Sequence, residues 1–96
     1  VRAKRVDVNQ KEIVHALRTF GATVTDLSMV GQGCPDLLVG FRLKTYLIEI
    51  KRDSKAKLTP AQVKWHDDWR GGSVSRIESI DDAIALLQSV EYNKVS

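Results

Sequence analysis

Three charged side chains, Asp36, Glu49 and Lys51, stand within two short runs that are otherwise largely apolar, Gly33-Cys34-Pro35-Asp36-Leu37-Leu38-Val39-Gly40 and Tyr46-Leu47-Ile48-Glu49-Ile50-Lys51-Arg52. Burying a charge is costly unless it is paired or binds a metal, so the three mark either the solvent face of a sheet or a site. Two carboxylates beside an ammonium suit Mg²⁺ or Mn²⁺, hard cations that take oxygen ligands and bring phosphates with them; they do not suit zinc. Such a pair would polarise a scissile phosphate and lower the pKa of a bound water, with Lys51 orienting that water or balancing charge on the phosphate. The competing reading is a surface ion pair from Asp36 to Lys51 with Glu49 solvated.

The elements around these residues decide between the two. Strand side chains alternate, so Glu49 and Lys51 share one face while Tyr46, Ile48 and Ile50 share the other. Segments 36–42 and 45–51 read as an antiparallel hairpin, and an even-numbered loop brings Asp36 to the face of Glu49 and Lys51. A loop of Leu43-Lys44, or of residues 42–45, pairs Asp36 with Lys51 and Leu38 with Glu49. The four-residue version is favoured, because Leu43-Lys44 lacks the Gly or Asn of a tight turn.

The flanking chain supplies helices. Ile13, Ala16, Leu17 and Phe20 form an apolar stripe over residues 9–20, closed by Gly21. Residues 22–29 read as a first strand, followed by the Gly31-Gln32-Gly33 loop. Thr59 as N-cap, Pro60 at the first helical position and Gln62 three residues after the cap start a second helix, which runs to about Arg70. Gln62, Trp65, His66 and Trp69 fall on one face of it, with the tryptophans expected in the core. His15 and His66 have no partner at metal-ligand spacing and read as surface or structural residues, His66 lying away from the site end. Residues 73–77 give a fourth strand, and Ser79 caps a last helix with Ile80, Ala83, Ile84, Leu87 and Val90 on one stripe. The order α-β-β-β-α-β-α is that of an α/β fold, a mixed sheet flanked by helices.

At 96 residues, 43% hydrophobic and 28% charged, residues 1–96 read as a single domain. No apolar run approaches the roughly 18 residues of a membrane span, and no secretory signal precedes the first helix, so a soluble, cytoplasmic protein is expected. Cys34 is the one cysteine, which excludes an internal disulfide and a zinc knuckle. The net charge of +3 is unevenly spread: residues 1–70 hold 13 Lys/Arg against 8 Asp/Glu, residues 71–96 only 2 against 4. Lys4, Arg5, Arg52, Lys55 and Lys57 lie in its densest segments and are candidates for phosphate contacts.

Pro35-Asp36 followed by Glu49-x-Lys51 resembles the PD-(D/E)XK signature of restriction-endonuclease-like nucleases. Together with Glu12 on the first helix, Leu58-Thr59-Pro60-Ala61-Gln62 and the Gly71-Gly72 pair, the pattern resembles the VRR-NUC domain across roughly residues 5–90, most of all its stand-alone phage and bacterial members. The resemblance implies an αβββαβ core, here with an added C-terminal helix, and Mg²⁺- or Mn²⁺-dependent hydrolysis of DNA phosphodiesters. For stand-alone members it implies homodimers acting on branched DNA such as Holliday junctions, in a bacterial or phage-infected cell, with no organic cofactor. Carried over, Asp36, Glu49 and the Ile50 carbonyl would hold the metal. Glu12 would contribute directly or through water, Lys51 would position the water, and Gln62 would support the lysine or a phosphate. Two of these have simpler readings, since Asn9-x-x-Glu12 and Thr59-x-x-Gln62 both have capping-box spacing. The alternative for the whole chain is a nuclease-like fold that binds nucleic acid without cutting it.

Overall fold

The computed structural model describes the backbone of residues 2–95 and the side chains of residues 9–89. The elements run α1 (Arg2–Thr19), β1 (Thr23–Asp26), β2 (Leu37–Phe41), β3 (Lys44–Ile50), α2 (Pro60–Asp68), β4 (Val74–Ile77) and α3 (Ile80–Val95). They build a four-stranded sheet in the order β1-β2-β3-β4. The first three strands are antiparallel and β4 is parallel to β3. The parallel pair needs a crossover, and α2 supplies it.

Alternation sorts the sheet into two faces. Leu37, Val39 and Phe41 of β2, Ile48 and Ile50 of β3 and Ile77 of β4 point to the core, where they meet Ile13 and Leu17 of α1 and Ala83 and Leu87 of α3. Each fully buried aliphatic side chain contributes about 1.5–3 kcal/mol, so this layer is the main source of stability. The opposite face carries Glu49 and Arg76, paired across β3 and β4. α2 covers that face through polar contacts, with none of its residues buried.

Three expectations are corrected. α1 extends back to Arg2, so Asn9 lies inside the helix and cannot cap it. The hairpin register is two residues away from the expected one: Phe41 pairs with Lys44 and Leu37 with Ile48. A two-residue Arg42-Leu43 turn makes it, both residues at positive φ (50° and 68°), as a type I′ turn requires. The parity is even, so Asp36 still reaches the face of Glu49. The ladder itself ends at Leu37; beyond it the Asp36 N–H donates to the Ile48 carbonyl (3.0 Å) and the Asp36 carboxylate accepts from the Ile50 N–H, which together hold Asp36 beside Glu49. Finally, Trp65 and Trp69 are not core. They stack on each other at the surface of α2 (centroids 4.9 Å apart, 18° between planes), and Trp69 is 42% exposed. The apolar arc of this short helix faces a polar site and an open cleft, not the hydrophobic layer.

Candidate active site

The site begins where the loop before β2 meets the start of α2. Gly31, Gln32 and Gly33 all have positive φ, a run that glycine eases at two of its three positions. A Cβ on Gly33 would come within 2.2 Å of the Ala61 carbonyl oxygen, so this glycine lets the loop lie directly on the first turn of α2. Pro35 is fully buried behind it. Asp36 is then fixed by the Ile50 N–H, which donates to its Oδ2 at 2.7 Å.

Glu49 is 1% exposed, the only buried charged residue among those described. Its Oε2 accepts from Gln62 Nε2 (3.1 Å), and its carboxyl also shares a hydrogen bond with Asp36. Its Oε1 is buried without a hydrogen-bond partner. Burial, the Asp36 charge and that shared hydrogen bond push the Glu49 pKa up to about 8, against the partial opposition of Lys51 and Arg76. Burial and the same two carboxylates raise the nearby Cys34 thiol.

Gln62 ties the site together. Its Oε1 accepts from the Thr59 N–H (2.9 Å) while its backbone N–H donates to Thr59 Oγ1 (3.2 Å), forming a complete capping box. The same Oε1 accepts from Lys51 Nζ at 2.8 Å, and Nε2 reaches Glu49. The cap and the site contact are thus made by one side chain, and neither reading displaces the other. Among the described residues no ion pair joins Asp36 to Lys51, and Glu49 is buried, so the surface ion-pair reading fails.

Glu12 is not brought in: it is exposed on α1, and among the described residues no three His, Cys, Asp or Glu side chains converge on a metal position. Asp36 and Glu49 nonetheless fit a divalent cation. They are adjacent carboxylates of like charge, one carries an unpartnered buried oxygen, and Mg²⁺ commonly takes only one or two carboxylates and keeps several waters.

Two residues escaped the sequence reading. His66 is not remote from the site: its Nε2, buried and unpartnered, lies 3.7 Å from Glu49 Oε1. The i, i+4 spacing from Gln62 was the available signal. Arg76 donates to the carbonyls of Asp53 (2.8 Å) and Ala56 (2.6 Å) and pairs with Glu78, strapping down the loop that exposes Arg52, Lys55 and Lys57. Lys4 and Arg5 lie outside the described side chains.

A mixed four-stranded sheet with helices on both sides and an Asp/Glu/Lys cluster at one end of its central hairpin defines a small nuclease-type α/β fold. A solved structure described as a VRR_NUC domain superposes with a TM-score of 0.70 at 30% identity, covering 86% of this chain and 94% of that one. The chain belongs to the VRR-NUC domain family. No family model matches the sequence, and no curated protein matches it. Among the described residues no helix is long and apolar enough to cross a membrane.

Proposed function

We propose that the protein is a divalent-metal-dependent DNA endonuclease. The observation that carries this reading is the buried Glu49 carboxylate set against Asp36, with one oxygen left open and the Lys51 ammonium held nearby by Gln62. Asp36 and Glu49 would hold Mg²⁺ or Mn²⁺, with the Ile50 carbonyl as a third donor by family resemblance. The ion would supply Lewis-acid charge to the phosphate and make a water acidic enough to attack at neutral pH.

The chain's own residues do the rest. Lys51, its Nζ fixed at 2.8 Å from Gln62 Oε1, orients the attacking water and balances charge building on the phosphate oxygens. Attack in line with the leaving oxygen breaks the P–O3′ bond, giving a 5′-phosphate and a 3′-hydroxyl as the family resemblance implies. Arg52, Lys55 and Lys57 contact backbone phosphates, which position DNA without reading bases. Preference for DNA structure over sequence follows, and a two-fold homodimer matches the two scissile strands of a junction.

The test is cleavage of end-labelled junctions, flaps and duplexes with Mg²⁺ or Mn²⁺, beside Asp36→Asn and Glu49→Gln. Cleavage by the parent, lost in both variants, is expected, together with a dimer mass in sedimentation. Binding to these DNAs with no cleavage by the parent under either metal would replace this reading with that of a non-cutting binding module.

A further inference from the structure

Two features beside the active site take no part in the hydrolysis described above. The first is a cleft of about 600 Å³ lined by Trp65, Trp69, Ala61, Gln32 and the Lys64–Asp68 ion pair, within the size range of ligand pockets. Its aromatic wall is fixed in advance. Trp65 and Trp69 stack with centroids 4.9 Å apart, the Trp69 indole N–H donates to the Gly72 carbonyl (2.9 Å), and a Cβ on Gly71 would come within 2.5 Å of the Trp69 ring. The second is the tip of the 27–33 loop, where Met29 is 96% and Val30 61% exposed. Turns within the loop hold it, with the Val30 N–H donating to the Leu27 carbonyl (2.9 Å) and the Cys34 N–H to the Gly31 carbonyl (3.1 Å). The loop leads through Gln32, at the cleft, to Asp36.

Both features border the carboxylates. Ala61 and Trp65 line the cleft, whereas the residue after each, Gln62 and His66, turns to Glu49. Cleft and site are thus neighbouring faces of one helix, about 10–12 Å across. The lining chemistry selects the occupant. A flat aromatic wall takes any nucleobase by its π-face, and a glutamine amide such as that of Gln32 can bond a base edge. Lys64 pairs with Asp68 at 2.9 Å, so the rim sets no unpaired carboxylate against the DNA backbone. In a paired duplex both faces of a base are already stacked, and only a base taken out of the stack can enter. Apolar side chains such as Met29 and Val30 are what many DNA-binding proteins insert between base steps to unstack them.

We infer that this cleft is a subsite for one unstacked nucleobase of the DNA strand at the active site, with Trp65 as its stacking partner and the Met29-Val30 tip as the wedge that holds the base out. The inference rests on the chain acting on DNA, and it narrows the substrate to DNA that carries, or readily yields, an unpaired nucleotide close to the scissile phosphate.

The chain has two tryptophans, both in the cleft, so intrinsic fluorescence reads it directly. The probe is a set of DNA hairpins of one sequence, titrated into the full chain without metal so that nothing is cut: fully paired, with one extrahelical thymine, and with an abasic residue in place of that thymine. The thymine hairpin should quench tryptophan emission and bind about 5- to 150-fold tighter than the abasic one, the equivalent of about 1–3 kcal/mol for one stacked base. This comparison needs no substitution. Trp65→Leu should erase the difference, and Trp65→Phe, which keeps a ring, should restore most of it. Equal binding and quenching by the thymine and abasic hairpins, beside cleavage by the parent protein with Mg²⁺ or Mn²⁺, overturns this inference alone; neither binding nor cleavage overturns the nuclease reading with it. Tryptophan emission that changes with protein concentration alone, with Trp65→Leu converting a dimer to a monomer in sedimentation, would assign the cleft to a second copy of the chain and also overturn the inference.

Discussion

Glu49 concentrates the chemistry of this molecule into one side chain, and its surroundings predict how the metal-free protein responds to pH. Asp36 just before β2, Lys51 beyond β3, Arg76 of β4 and His66 and Gln62 of α2 all face it. The folded state holds its proton up to about pH 8, against an ordinary value of 4.5. Between these values the native state binds more protons than the unfolded chain, so stability falls as pH rises through the window and is highest, for this group, below it. Thermal melts of metal-free protein from about pH 5 to about 8.5 should show this decline, and Glu49→Gln should flatten it. Gln62 gives a second prediction. Gln62→Ala removes the side-chain half of the capping box and the Lys51 anchor together, leaving the backbone bond to Thr59 Oγ1, and should cost about 1 kcal/mol with loss of cleavage. Gln62→Glu keeps an acceptor for the Thr59 N–H but sets a carboxylate against Glu49, so it should retain helix content while losing cleavage. A Gln62→Glu variant with parental activity would show that the Nε2 contact to Glu49 is dispensable. At this scale the Asp36, Glu49 and Lys51 cluster was legible, because strand alternation needs only parity. His66 was not, because its contact crosses from helix to sheet and depends on how α2 docks.

Among the elements, the β2–β3 hairpin shows where local rules stop. Arg42 and Leu43 both occupy the left-handed region, where residues with side chains are strained, so the expectation of a longer loop was reasonable chemistry with the wrong outcome. The register is held instead by Leu37, Val39 and Phe41, whose core side chains would all turn to the other face if the strand slipped by one residue. Leu43 is fully exposed and gives up no packing. Leu43→Gly should therefore stabilise the protein by about 0.5–1 kcal/mol in chemical denaturation, relief of strain outweighing the added freedom of the unfolded chain. Gly33→Ala should do the reverse, because its Cβ would push against the Ala61 backbone and lift the first turn of α2. Circular dichroism and denaturant midpoints would check the pair, and a neutral Gly33→Ala would contradict the close approach of loop and helix. The stacked tryptophans carry the same lesson: a helical stripe identifies a face but not what that face meets.

Across the whole molecule, one sheet divides the labour. The face toward α1 and α3 stabilises, and the face toward α2 carries charge. The basic loop strapped by Arg76 lies at the edge of that second face, so its charges should act on DNA uniformly. Removing Arg52, Lys55 or Lys57 singly should weaken binding to every DNA structure alike and reduce the salt slope of log K by about 0.9 for each phosphate no longer neutralised. Fluorescence anisotropy over a salt series would measure it, and a variant that changed preference among structures without changing slope would assign that residue a different role. The element order and the site face of the β2–β3 hairpin were readable from patterning, since both depend on local periodicity. The strap formed by Arg76 was not, because its partners lie 20 and 23 residues away in sequence.

α2 has no buried residue. It is fastened to the sheet by Gln62 bonded to Lys51 and Glu49, by the His66 approach and by the bare backbone of Gly33 against Ala61. The helix is therefore clasped by the same groups that would do the chemistry, and opening the site and releasing the helix become one event. Backbone amides of residues 62–68 should exchange with solvent faster than those of β3 in the metal-free protein and slow when Mn²⁺ is added, making this short helix a gauge of whether the site is loaded.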